Sequence, residues 1–115
     1  MQHLKVEIGG GENSTCGSEA THALTREELA DPKPRGYEFW LMAEARKRNP
    51  QVLLDCLPWS YPYWVSNPFS QDSADWYVAF LDVAKKHYGL KMDWVAAAWN
   101  EKGTDLNWIA KILRP

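Results

Sequence analysis

Three short apolar runs, each followed by a stretch of helical periodicity, constrain this chain more than any other feature. Residues 3–8 alternate, with Leu4, Val6 and Ile8 against Lys5 and Glu7, a two-residue period that predicts a short strand ending at Gly9, Gly10 and Gly11. Residues 51–57 and 92–99 are the second and third runs. Residues 36–49 place Tyr37, Trp40, Leu41 and Ala45 on one helical stripe, with Arg46, Lys47 and Arg48 at the end and Pro50 as the stop. Residues 70–88 repeat the pattern through Trp76, Tyr77, Phe80, Ala84 and Tyr88, capped by Ser70 or Asp72 and closed by Gly89. Thr104 or Asp105 opens a last helix with Leu106, Ile109, Ala110 and Leu113 on one face. The order is βαβαβα, and crossovers of this length predict a parallel sheet with right-handed connections. A parallel sheet needs helices on both faces or must close into a barrel, so three such units leave one face and two edges bare. The chain reads as a piece of a larger α/β fold.

The connections carry their own signals. Residues 12–34 form a long loop of Gly, Ser, Thr, Asn, Asp and Pro, in which Thr25 followed by Glu28 has the spacing of a capping box over 25–29. Loops of this length in compact domains are often functional. Residues 58–69 hold Trp59, Tyr61, Tyr63, Trp64 and Phe69 among prolines, which excludes regular structure. Asp55 falls inside the second strand, so it must either meet polar groups or lie at a fray. Trp40, Trp76 and Trp108 fall on helices and are expected in the core, whereas Glu38 and Glu44 are expected as helix-surface charges.

Composition narrows the function. At 115 residues and 45% hydrophobic content the chain can build a core, and a net charge of −2 with no basic run argues against nucleic acid or a membrane surface as partner. No apolar run reaches the roughly 20 residues of a transmembrane segment, and the N-terminus shows no signal-peptide pattern. Cys16 and Cys56 match neither a zinc site nor a disulfide framework; two free thiols and one bridge both remain open. His3, His22 and His87 are too scattered in sequence to suggest a metal site, and no cofactor motif is present: the Gly9-Gly10-Gly11 run lacks dinucleotide spacing.

The third apolar run, Trp94-Val95-Ala96-Ala97-Ala98-Trp99, gives way to Asn100 and Glu101. Parallel α/β folds keep their chemistry at the C-terminal ends of strands, although an ordinary strand-to-loop boundary has the same look. A strand-end carboxylate with aromatics nearby fits sugar chemistry, in which two carboxyl groups flank the scissile bond and flat rings stack on the sugar.

Four motifs then carry a resemblance. Leu4-Lys5-Val6-Glu7-Ile8-Gly9-Gly10, Arg35-Gly36-Tyr37-Glu38-Phe39-Trp40-Leu41-Met42, Leu57-Pro58-Trp59-Ser60-Tyr61-Pro62 and Trp99-Asn100-Glu101 occur in the order and spacing of glycoside hydrolase family fifty-nine, the galactosylceramidase family. The resemblance covers nearly the whole chain. It implies that residues 1–115 are three consecutive βα units of a (β/α)8 TIM barrel, from about its second strand through its fourth helix. It implies a retaining β-galactosidase acting on galactosyl sphingolipids, a lipid-transfer activator as a further partner, and no cofactor. By residue, it makes Glu101 the general acid/base and Asn100 a contact to the sugar near its reacting end, with Trp59 and Thr15 lining the galactose pocket. Cys16, beside Thr15, stands where the family usually has Asp. Glu7 matches a family Glu that is not the nucleophile; the nucleophile is expected on a later strand, beyond Pro115, so these residues alone are expected to be inactive. The implied location is the lysosome in an animal, or outside the cytoplasm in a bacterium. Two other readings stay open: a catalytically silent truncated product that binds a sugar or partner, and part of another barrel β-glycosidase.

Overall fold

The computed structural model describes residues 2–12, 19–96, 103 and 105–113. Three strands, β1 (His3–Glu7), β2 (Leu53–Leu57) and β3 (Trp94–Val95), form one parallel sheet in the order β1-β2-β3. A 3-10 turn (Glu27–Ala30) and three helices, α1 (Glu38–Arg48), α2 (Gln71–Tyr88) and α3 (Leu106–Leu113), complete the described elements. The fold is α/β, and the expected element order is the one observed. Residues 97–99 of the expected third strand lie outside the described residues.

Strand register separates the side chains into two faces. His3 pairs with Leu53, Leu4 with Leu54, Lys5 with Asp55, Val6 with Cys56 and Glu7 with Leu57, while Asp55 and Cys56 pair with Trp94 and Val95. The face of Val6, Ile8, Leu54 and Cys56 is buried in one cluster with Phe39 and Met42 of α1, Trp76, Tyr77 and Phe80 of α2, and Trp108 of α3. Burial raises the pKa of the Cys56 thiol, with Asp55 adding to the effect. The opposite face carries the row Lys5–Asp55–Trp94, and no described helix covers it. Asp55 there is only 8% exposed and meets His3 and Lys5, each at 3.4 Å. Of the two alternatives for this strand carboxylate, polar partners are the outcome.

Local chemistry accounts for the helix ends. Ser70 caps α2 by accepting the Ser73 N–H at 3.1 Å, and Gly89 closes it at φ 64°, with Leu90 N–H returning to the Ala84 carbonyl at 3.1 Å. Asp105 caps α3 by accepting from Asn107 at 2.8 Å and from Trp108 at 3.3 Å. At the 3-10 turn Thr25 accepts the Glu28 N–H at 3.2 Å, and Glu28 reaches back to the Leu24 N–H at 3.0 Å. That is the expected reciprocal cap, displaced by one residue.

Helix α1 departs from expectation. Its buried stripe is Phe39 and Met42, leaving Trp40 56% exposed and Tyr37 exposed; Glu38, expected at the surface, is only 4% exposed. Aromatic residues occupy both candidate stripes, so periodicity alone did not choose between them. Gly36 precedes the helix at φ 82°, and packing of Phe39 and Met42 into the core settles which stripe is buried. Trp76 and Trp108 are buried as expected, and Glu44 pairs with Arg48 at 2.9 Å and Lys47 at 3.2 Å. Tyr88, expected in the buried stripe of α2, lies exposed at its last turn and stacks on Phe39.

Candidate functional site

The C-terminal ends of β1 and β2 gather their loops into one place because glycines let backbone meet backbone. A Cβ on Gly9 would stand 2.2 Å from the Ala20 carbonyl oxygen, and one on Gly10 would stand 2.4 Å from that of Ser60. Any side chain there would force the loops apart. Gly11 N–H donates to the Glu19 carbonyl at 2.7 Å, and the Ser60 hydroxyl donates to the Glu12 carbonyl at 3.2 Å. Beyond the strands, Ile8 N–H bonds the Leu57 carbonyl at 2.9 Å, and Ala96 N–H bonds that of Cys56 at 2.9 Å. The three strand exits therefore leave the sheet side by side.

Trp59 emerges here, half-buried, two residues past β2. Thr15, Asn100 and Glu101 lie outside the described residues, as do Cys16 and Trp99. Of the four expected site residues, the structure thus locates Trp59, beside the Gly9–Gly10 exit. Among the aromatics around it, Trp64 belongs to the core and donates its Nε1–H to the Ala23 carbonyl at 3.0 Å, while Tyr63 is exposed. Tyr61 packs on Trp76 and shares a hydroxyl contact of 3.5 Å with Tyr77.

A second feature escaped sequence reading. Glu7, Glu19 and Glu38 line a cleft of about 220 Å³ at the open edge of β1, together with Lys5 and Tyr37. Burial pushes the Glu38 carboxyl up to about 8; Glu19 acts in the same direction, and the hydrogen bond from Glu38's own backbone N–H opposes it. Burial and the charge of Glu19 also raise the Glu7 carboxyl, against the pull of the Trp59 backbone N–H. One oxygen of Glu7 and one of Glu38 are buried without a hydrogen-bond partner. The only sequence signal for Glu38 is its place in the first turn of α1, which suits an exposed acid equally well.

The other buried titratable group is His22. Its Nε2 lies 2.7 Å from the Trp76 carbonyl, which can only accept, so the ring carries its proton on Nε2 and Nδ1 is left without a partner. Burial lowers its pKa to about 4. Trp76 in turn donates its indole N–H to Thr21 Oγ1 at 3.1 Å, tying the loop to α2 twice. Nearby, Arg35 grips Glu28 with both guanidinium nitrogens and donates to the Thr21 carbonyl at 3.1 Å; that hydrogen bonding holds the Glu28 carboxyl down at about 2.

A larger groove of about 550 Å³ runs between the 3-10 turn and α2, lined by Leu29, Pro32, Val78, Val83, Lys86 and Lys111. It lies on the outer surface of the helix layer and includes none of the strand-exit residues. Among the described residues no set of three His, Cys, Asp or Glu side chains would hold a metal ion, and no helix is long and apolar enough to cross a membrane.

Known proteins place this arrangement. The chain is 42% identical to a galactocerebrosidase of Mus musculus over 95% of its own length and 16% of that protein's. It is 42% identical to the galactocerebrosidase of Homo sapiens, over 96% of this chain and 16% of that one. A putative galactocerebrosidase of Caenorhabditis elegans is 29% identical over 97% of this chain and 17% of its own. The chain therefore spans about one sixth of the length of these relatives. Among solved structures, the endo-β1,6-glucanase BT3312 superposes with a TM-score of 0.61 at 20% identity, over 82% of this chain and 25% of that one, a likeness of fold. The profile of glycosyl hydrolase family 59 matches residues 1–115, and the chain belongs to that family.

Proposed function

We propose that these residues are three consecutive βα units of a (β/α)8 barrel, and that the barrel is a retaining β-galactosidase acting on galactosyl sphingolipids. The observation that carries the reading is the family match over residues 1–115, joined to the galactocerebrosidase names of the relatives. The fold supports the barrel. Among the described residues strand order runs β1-β2-β3 without the reversal that a doubly wound sheet needs, and the described helices pack on one face. In a closed barrel the bare face with Lys5, Asp55 and Trp94 becomes the interior.

In this reading the sugar sits over the strand exits. Trp59 offers its ring to the apolar face of galactose, with Thr15 and Asn100 as hydroxyl partners. Glu101, five residues beyond Ala96 in the chain, gives its proton to the glycosidic oxygen as the bond from that oxygen to the anomeric carbon breaks. A second carboxylate, on a later strand, attacks the same carbon and forms the glycosyl-enzyme. Glu101, now ionised, takes a proton from water as water releases the sugar. For retention the two carboxyl groups stand about 5 Å apart. The acceptor side holds a lipid, for which a lipid-transfer activator is the natural presenter, and the lysosome is the location proposed by analogy with the animal relatives.

The test uses the full-length protein and galactosylceramide. Glu101→Gln should lower kcat by about 100- to 10,000-fold, the usual contribution of a general acid/base. Glu101→Gly should be rescued by azide on a galactoside with a good leaving group, yielding β-galactosyl azide. Full activity in Glu101→Gln would overturn the assignment, and a preference for glucosides over galactosides would overturn the substrate.

A further inference from the structure

The free edge of β1 has the makings of an interface, and this inference rests on the barrel reading just given. Among the described residues β1 is the end strand of the sheet, paired with β2 alone. Lys5, Val6 and Glu7 are consecutive, so they point to alternate faces, yet all three line the cleft of about 220 Å³. The cleft therefore follows the strand's edge. Glu19 and the start of α1, Tyr37 and Glu38, form its other wall. Tyr37 is exposed, and so is Trp40, three residues further along the same side of α1. Unpaired backbone beside bare aromatic rings is what a closed barrel covers with the neighbouring βα unit. The galactocerebrosidases, of which this chain spans about one sixth, have the length to supply one.

The charge in the cleft indicates what that unit brings. Three carboxyl groups, Glu7, Glu19 and Glu38, meet one ammonium, Lys5, which is already engaged by Asp55 at 3.4 Å. Glu38 is only 4% exposed, and its Oε2 has no hydrogen-bond partner among the described residues; Oε2 of Glu7 has none either. Gly36 fixes where the Glu38 carboxyl lies. A Cβ on that glycine would stand 2.5 Å from Oε2 and 2.9 Å from Oε1, so the group is folded back against bare backbone. Burial pushes this carboxyl up to about 8, a shift that a cation at Oε2 reverses. Among the described residues no three such side chains would hold a metal ion. An arginine suits two bare acceptors on separate residues, because its planar fork offers five N–H donors and keeps its charge when desolvated.

We propose that the βα unit preceding β1 in the full-length barrel lays a parallel strand along the free edge and places an arginine in the cleft, its guanidinium donating to Oε2 of Glu38 and Oε2 of Glu7. In the 115-residue chain by itself burial keeps Glu38 protonated toward neutral pH. In the full-length protein the guanidinium ionises it. Glu38→Gln thus relieves a penalty in the first and breaks an ion pair in the second.

The full-length protein decides. Its crystal structure should show a strand parallel to His3–Glu7 and a guanidinium nitrogen within about 3.2 Å of each of the two oxygens. A cleft filled by apolar side chains, by a lysine or by water alone overturns the proposal and leaves the barrel standing. A β1 edge that pairs with no strand overturns the barrel reading as well. Thermal unfolding at pH 7 gives a second readout. Glu38→Gln should lower Tm by about 5–10 °C, as expected when a buried charge loses its partner, and an unchanged or raised Tm overturns the proposal. Replacing the arginine by methionine should couple to Glu38→Gln, so that the double variant falls little below the worse single one; additive losses overturn the pairing. Should Glu38→Gln fail to fold, Glu7→Gln replaces it with the same expected sign, and the structure of the parent protein needs no variant.

Discussion

Two buried titratable side chains anchor the segment between β1 and α1, and they do so with opposite protonation. His22 loses its proton to burial and donates to the Trp76 carbonyl, in a region where Trp76 of α2 also donates its indole N–H to Thr21. Glu38 keeps its proton to a pH of about 8, in a cleft where the neighbours are other carboxylates and two buried oxygens have no partner. Both groups are neutral between these values. The difference is that the first region is a lock of hydrogen bonds between loop and helix, whereas the second gathers carboxyl groups beside the strand exits. Hydrogen bonding accounts for the lock, whereas the buried oxygens of Glu7 and Glu38 in the cleft have no such compensation.

The largest effect should come from breaking the lock. Trp76 is fully buried, stacks on His22, and supplies both the indole donor and the backbone acceptor that the loop uses. Trp76→Ala should cost about 3–5 kcal/mol in urea unfolding, the range for removing a buried aromatic. Trp76→Phe, which deletes chiefly the N–H to Thr21, should cost about 1–3 kcal/mol for the lost hydrogen bond and ring volume. Equal costs for the two would show that the indole N–H, and not ring packing, fixes the loop.

The second effect lies in pH. The folded His22 pKa, about 4, is below the ordinary imidazole value of 6.5, so its contribution to stability is intact above 6.5 and is lost as pH falls toward 4. The folded Glu38 pKa, about 8, is above the ordinary carboxyl value of 4.5, so it costs nothing below 4.5 and destabilises as pH rises toward 8. Between 4.5 and 6.5 the two slopes have opposite sign and offset each other. Removing one exposes the other. In Glu38→Gln, stability relative to the parent should increase with pH across 4.5–8, by up to about 1.4 kcal/mol per unit. His22→Asn should show the reverse across 4–6.5, its deficit greatest at high pH, where the native neutral imidazole carries no penalty. A parallel displacement of the curves with no change of slope would mean that neither group titrates as its burial requires.

How much of this the amino-acid pattern disclosed differs between the same two regions. Alternation in residues 3–8, the Ser70 and Asp105 caps, Gly89 and the Thr25–Glu28 spacing each act through neighbours in sequence, and each element appears where that local chemistry puts it. The place of Trp59, in the loop just past the second strand, was legible from the prolines that end that strand. Glu38 was not: whether it faces water or the cleft depends on the rotation of α1 about Phe39 and Met42, which is decided by packing against the sheet and α2. The same quarter-turn put Trp40 outside. The register that sets Glu7 against Leu57 likewise joins residues far apart in sequence, a long-range fact that no window of neighbouring residues contains.

The smallest effect should come from the loop's third anchor, which is local and uncharged. Thr25 accepts the Glu28 N–H at the head of the 3-10 turn, while the Glu28 carboxylate is committed to Arg35 and to the Leu24 N–H. Thr25→Ala removes one capping hydrogen bond and should cost about 1 kcal/mol or less, the same at every pH between 5 and 8. A larger cost there, or one that grows as pH falls below 5, would show that the cap also steadies the Glu28–Arg35 pair. The loop would then behave as one cooperative unit, and the contrast between the His22 lock and the Glu38 cleft would reduce to two ends of a single support.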